Sequence, residues 1–191
     1  MNNIESTPPI VFVQIGQWPK HLVLNLKYVV STFPQTKVVV ICDEKYHEKI
    51  EAVNIEFIFM DKIQAIYPKE FEIVDKRKLF RNNFWFTTKA RLILLANYIR
   101  QYDKGEIIHI EGDVWLHPQF PFDEFRRLKT SIAFPMADLN RGIASVLFVN
   151  GPKGADLLIK ACEKWPEYSD MEILGEIAKY FKDITILPNE N

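Results

Sequence analysis

Two carboxylates, Glu111 and Asp113, stand with only Gly112 between them at the end of an apolar run, Glu106-Ile107-Ile108-His109-Ile110. In an extended chain every second side chain shares a face, so this spacing predicts two acids converging on one small volume. Paired carboxylates repel each other, and a cation between them relieves the repulsion. A hard divalent ion held by one or two carboxylates, with water and substrate phosphates completing its shell, is the usual setting for Mg²⁺ or Mn²⁺ in phosphate chemistry. Gly112 leaves the backbone room for a ligand to approach. The same pair also reads as the solvated exit of a buried strand, so its surroundings have to decide. His109, inside the run, is expected as a core histidine with its hydrogen bond satisfied.

Other groups able to do chemistry lie at the ends of apolar runs. Gly16, Asp43 and Asp61 each close a strand-like segment, and in parallel α/β sheets ligands bind beyond the carboxyl ends of the strands. A turn or helix-cap role is the commoner one for a single aspartate in such a place; Asp43 is kept as the nucleotide-contact candidate, ahead of Asp61. Lys89 and Arg91 fall in the first turn of a helix read from Lys89 to Tyr102, where the helix dipole disfavours cations. A nearby anion would explain them. The basic cluster Lys76, Arg77, Lys78 and Arg81 can meet a phosphate or an anionic acceptor, or be a solvated face.

The elements that must position these groups alternate. Pro9–Gly16, Lys37–Asp43 and Ile55–Asp61 are short β-branched runs, read as buried strands of a parallel sheet. His21–Phe33 is helical and ends before Pro34. Leu92, Leu95, Ile99 and Tyr102 form one stripe at helical spacing. A short helical piece is expected from Asp123 to Leu128, a strand from Ser131 to Met136 with Pro135 placing it at an edge or end, and a longer strand from Gly142 to Gly151. A polar loop with Asp138, Asn140 and Arg141 joins these two strands. Helices over 151–165 and 171–181, the second capped by Ser169 or Asp170, and a strand at 183–188 complete the chain. Strands alternating with helices predict an α/β fold with a mostly parallel central sheet flanked by helices.

Composition narrows the function. A chain that is 48% hydrophobic and 26% charged reads as one soluble globular domain over its 191 residues. A net charge of −1 gives no reason to expect nucleic acid or an anionic membrane as partner. Cys42 and Cys162 are read as buried free thiols rather than a disulfide or a metal knuckle. No run approaches the length of a membrane span and no apolar secretory core opens the chain, so the expected compartment is the cytoplasm. No P-loop, G-x-G-x-x-G or G-x-S-x-G pattern occurs, which counts against nucleotidyltransferases with glycine-rich loops and against α/β-hydrolases.

The order of pieces resembles the GT-A-type glycosyltransferases, nucleotide-sugar-dependent enzymes whose Rossmann-like α/β domain carries an Asp-x-Asp motif. The resemblance rests on the helix with Thr88, Lys89 and Arg91, on Ile107–Ile110 leading into Glu111-Gly112-Asp113-Val114-Trp115-Leu116, on Phe148-Val149-Asn150-Gly151, and on Ser169-Asp170-Met171-Glu172-Ile173-Leu174. It implies one GT-A-like domain over residues 1–191, minimal or shortened at its C-terminus, where many members continue to a later histidine ligand. It implies transfer of a sugar from a nucleoside diphosphate sugar to a hydroxyl of a glycan or other acceptor, in a surface polysaccharide by analogy. Glu111 and Asp113 would hold Mn²⁺ or Mg²⁺ on the diphosphate. Gln14, Gly16 and Asp43 would cradle the nucleoside, Lys89, Arg91 and Asn150 would approach the diphosphate or sugar, and Asp170 would stand near the acceptor as general base. The first motif acid is glutamate where the family has aspartate. A catalytically inactive GT-A-like binding or scaffold module is the alternative, and the sequence leaves the oligomeric state open.

Overall fold

The computed structural model describes residues 7–49, 54–64 and 84–189. Its first four strands are β1 (Ile10–Gln14), β2 (Val38–Cys42), β3 (Ile55–Phe59) and β4 (Glu106–Ile110), and these pair in parallel in the order β3-β2-β1-β4. Each is a short run of Val, Ile and Phe, the stiff branched and aromatic side chains that pack well on a pleated surface. Beyond β4 the direction reverses. β7 (Val146–Asn150) is antiparallel to β4, β5 (Ile132–Asp138) is antiparallel to β7, and β8 (Ile184–Leu187) runs parallel beside β5. The two-residue β6 (Arg141–Gly142) hairpins onto the end of β5. Six of the eight strands among the described residues point the same way, so the mostly parallel α/β sheet expected from the sequence is present.

Strand alternation divides the core into two layers. Val11, Val13, Val39, Ile41, Ile107, Leu147 and Val149 face α2 (Phe84–Gln101), α4 (Gly151–Lys164) and α5 (Asp170–Tyr180). Ile10, Phe12, Val38, Val40, Ile108, Ile110 and Phe148 face α1 (Lys20–Thr32) and α3 (Phe122–Arg127). α2 was expected to bury one stripe, but Leu92 to Ala96, Tyr98 and Ile99 are all buried, because α4 closes over the side that the sheet leaves free.

Three boundaries differ from the sequence reading, each for a physical reason. α2 begins at Phe84 rather than Lys89; the aromatic and threonine run before Lys89 is weakly helix-forming by propensity, which is only a weak prior on where a helix starts. The strand expected over 142–151 is split into β6 and β7 by a turn of chain at 143–145. Pro135 lies inside the sheet rather than at an edge: β7 pairs with Ile132 and Ala133, β6 with Met136, and the proline falls between the two ladders, where its missing N–H interrupts neither. Among the described residues no helix is long and apolar enough to cross a membrane. Cys42 and Cys162 are buried and free, as expected.

Candidate active site

The parallel strands deliver their last residues to one edge of the sheet. At the end of β1, Gly16 takes a left-handed φ of +78°, a conformation that glycine adopts without steric cost, and so turns the chain out of the sheet. The Gln14 amide closes this turn, donating to the Gln17 carbonyl at 2.6 Å and to that of Ile15 at 3.3 Å. At the end of β2, Asp43 pairs with Lys45 at 3.5 Å and its carbonyl accepts from Tyr46 N–H. Asp61 sits exposed in a tight turn beside Lys62, which is the turn role that the sequence allowed. The basic cluster at Lys76, Arg77, Lys78 and Arg81 lies outside the described residues.

Between these strand ends stands an aromatic pair that sequence reasoning missed. Trp18 stacks on Tyr46 at 5.2 Å and 26°, and the Lys45 ammonium lies 4.9 Å from the Tyr46 ring centre. Trp18 was read as part of a loop, and only the side-by-side pairing of β1 with β2 brings it to Tyr46. The Trp18 Nε1–H is buried without a hydrogen-bond partner, a donor left unmet beside an open edge.

At the end of β4 the two acids part. The strand stops at Ile110, and Glu111 to Val114 form a turn closed by Val114 N–H to the Glu111 carbonyl at 3.1 Å. The alternation of an extended chain therefore does not carry through to Asp113. Glu111 is half-buried: one carboxylate oxygen is ion-paired with Arg91 of α2, and the other accepts from the Ser145 hydroxyl at 2.8 Å. The other arm of Arg91 reaches Asp170 at 3.7 Å, and Thr88 donates a hydrogen bond to the same carboxylate. Burial pushes the Glu111 carboxyl up, but Arg91 and the Ser145 hydroxyl outweigh it and hold it below the usual carboxylate range. In Asp170, only 4% exposed, burial wins over Arg91 and Thr88 and the carboxyl is raised. Asp113 is exposed, and no hydrogen bond or ion pair ties it among the described residues.

The remaining candidates separate. The anion expected near Arg91 is this pair of carboxylates. With α2 starting at Phe84, neither Lys89 nor Arg91 is in the first turn, so the dipole argument does not apply to them. Lys89 is buried and donates to the Pro166 carbonyl between α4 and α5. Asn150 pairs with Glu106, the first residue of β4, and so stands at the opposite edge of the sheet, donating to the Thr130 carbonyl at 3.2 Å. The cap of α5 is Ser169, in a reciprocal box with Glu172. This leaves Asp170 free to face Arg91. His109 is a core histidine with Nδ1 2.8 Å from the Val11 carbonyl oxygen.

No protein-family model matches the chain, and no curated protein matches it in sequence. Solved structures do. The galactosyltransferase LgtC, in complex with donor and acceptor sugar analogues, aligns over 93% of this chain and 72% of its own with a TM-score of 0.65 and 18% identity. The glycosyltransferase GlyE of Streptococcus pneumoniae TIGR4 aligns over 95% of this chain and 46% of its own, with a TM-score of 0.59 and 10% identity. The PaToxG glycosyltransferase gives 90%, 68%, 0.55 and 11% in the same order. The fold is that of the GT-A-type glycosyltransferases.

A divalent cation clamped between two carboxylates is what the GT-A resemblance implies at Glu111 and Asp113. As placed, the residues do not make that clamp. Both Glu111 oxygens are already engaged. No group of three or more His, Cys, Asp or Glu side chains able to hold a metal occurs among the described residues. Asp113 is the carboxylate with both oxygens available. What the GT-A edge offers is an aromatic pair, a tight turn with open backbone, one free carboxylate, and a buried acid held by an arginine.

Proposed function

We propose that the protein is a glycosyltransferase that binds a nucleoside diphosphate sugar at the C-terminal edge of its parallel strands and transfers the sugar to an acceptor hydroxyl. The observation that carries this reading is the GT-A fold over nearly the whole described chain, shared with LgtC, which has been solved with donor and acceptor sugar analogues. The residues supply matching chemistry. The Trp18–Tyr46 pair gives a nucleobase a flat apolar surface. Gln14 to Gly16 and Asp43 line the approach to it. Arg91 stands where the sheet reverses direction, facing the reacting end. Asp170 is the acceptor-side carboxylate: raised by burial, it is better matched to accept a hydroxyl proton than an ordinary aspartate.

The second reading, a binding module without catalysis, is favoured by the engagement of Glu111 with Arg91 and Ser145. Calorimetric titration of UDP and GDP, with Mn²⁺ and then with EDTA, tests the donor site. Saturable binding of one nucleotide is expected, weakened at least tenfold in W18A. Absence of binding by both nucleotides sinks the glycosyltransferase reading. Binding of the diphosphate without turnover of any nucleotide sugar, in hydrolysis or in transfer to simple sugars, establishes the binding module instead.

A further inference from the structure

We infer that Glu111 is the internal counter-ion that fixes Arg91 and, through it, Asp170, and is not a ligand for a cation accompanying the donor, whereas Asp113 keeps an untied, exposed carboxylate among the described residues. The inference rests on the glycosyltransferase reading for its ligand, but not for its geometry. Three observations lead to it. First, Glu111 is held on all sides: its backbone N–H meets the Ser145 carbonyl at 3.2 Å, its side chain meets the Ser145 hydroxyl at 2.8 Å, and Arg91 takes the remaining oxygen. A metal entering here would have to displace a guanidinium that is itself mostly buried, with 17% of its side chain exposed.

Second, Arg91 has two acidic neighbours and joins three elements: α2, the end of β4 and the start of α5. An arginine fork can face two carboxylates at once with fixed geometry, which an ammonium cannot. Asp170 is 5% exposed on its side chain, so an unpaired charge there would be costly, and the guanidinium that reaches it is the one whose other nitrogen Glu111 holds. Third, the acid at this place is glutamate, whose additional methylene over aspartate gives its carboxylate the reach to meet Arg91 and Ser145 together.

Glu111 is therefore a positioning residue, and two measurements on the full chain test it. The first needs no ligand: thermal melts of E111Q, R91M and the double variant. The double variant should melt no lower than the worse single variant, because either change removes the same contact; additive losses would overturn the inference. The second reads Mn²⁺ by electron paramagnetic resonance in the presence of UDP or GDP. Mn²⁺–nucleotide affinity should change less than threefold in E111Q and fall at least tenfold in D113N. An equal fall in both variants would make Glu111 a ligand and overturn the inference. If the unaltered protein binds no nucleotide, the glycosyltransferase reading fails, while the melts still decide what Glu111 does.

Discussion

Over β1 and β2 the polar groups of the site edge are held by near neighbours in sequence, whereas at the boundary of β4 and β7 they are held by groups from distant elements. On the first side Gln14 bonds to Gln17, Asp43 pairs with Lys45, and the side chains are half-buried or exposed. On the second, Glu111, Arg91, Asp170, Thr88 and Ser145 join the ends of strands and helices in one network, half-buried at Glu111, Arg91 and Ser145 and buried at Asp170 and Thr88. The difference has a physical basis. A parallel pair leaves its strand ends side by side and free to carry loops, while the reversal at β7 brings the start of one strand against the end of another and packs helix α5 over the junction. Groups on the first side can change to suit a ligand with little effect on folding. Those on the second side cannot.

Four experiments press on that contrast. R91M leaves Glu111 and Asp170 without their cation, and a loss of about 4 kcal/mol in urea unfolding is expected; a loss below about 1 kcal/mol would erase the distinction between the sides. His109 underlies the second. Burial, with Arg91 nearby, lowers its pKa to about 4, against about 6.5 in an unfolded chain. Between those values the unfolded chain binds more protons, so His109 costs nothing above about pH 6.5 and its penalty grows as pH falls toward 4. In metal-free protein the penalty reaches about 3 kcal/mol. H109Q keeps a donor for the Val11 carbonyl, and its stability profile should be flatter by that amount over this range.

A smaller loss is expected where the β5–β6 hairpin meets α5. A Cβ at Gly175 would collide with the Asn140 carbonyl, a backbone group that can yield only if the β5–β6 turn shifts. G175A should therefore cost about 2 kcal/mol, despite the better helix propensity of alanine. The smallest effect belongs to the open side. K45A removes an exposed ion pair at 3.5 Å, and the melting temperature should stay where it was.

The sequence was informative where local pattern decides structure. Runs such as Val38–Cys42 and Ile107–Ile110 are short, branched and bounded by turn residues, and all of the first four strands follow from that. Of the two caps offered for α5, Ser169 or Asp170, Ser169 is the one used, because Glu172 three residues on completes its box. Pairings between distant segments had no local signal. Neither Trp18 against Tyr46, nor Arg91 against Asp170, nor the antiparallel course of β7 alters periodicity within a segment. The parting of Glu111 from Asp113 was hidden for a different reason: the motif has strand spacing, but the strand ends before it, and a turn at Gly112 carries the second acid elsewhere.

The loop that carries Asp113 is strapped to α1. Asn25, buried in that helix, donates to the carbonyls of Gly112 at 3.1 Å and Val114 at 2.8 Å, and Tyr28 donates to that of Leu116 at 2.8 Å. These partners are 87 to 89 residues apart in the chain. During synthesis α1 therefore leaves the ribosome long before there is anything for Asn25 to grip, and the loop gains its shape only once β4 has docked beside β1. Contacts of such long range form late, because the intervening chain must first be closed into a loop. The exposed carboxylate of Asp113 is thus among the last features to be set, and an incompletely made or partly folded chain would lack it.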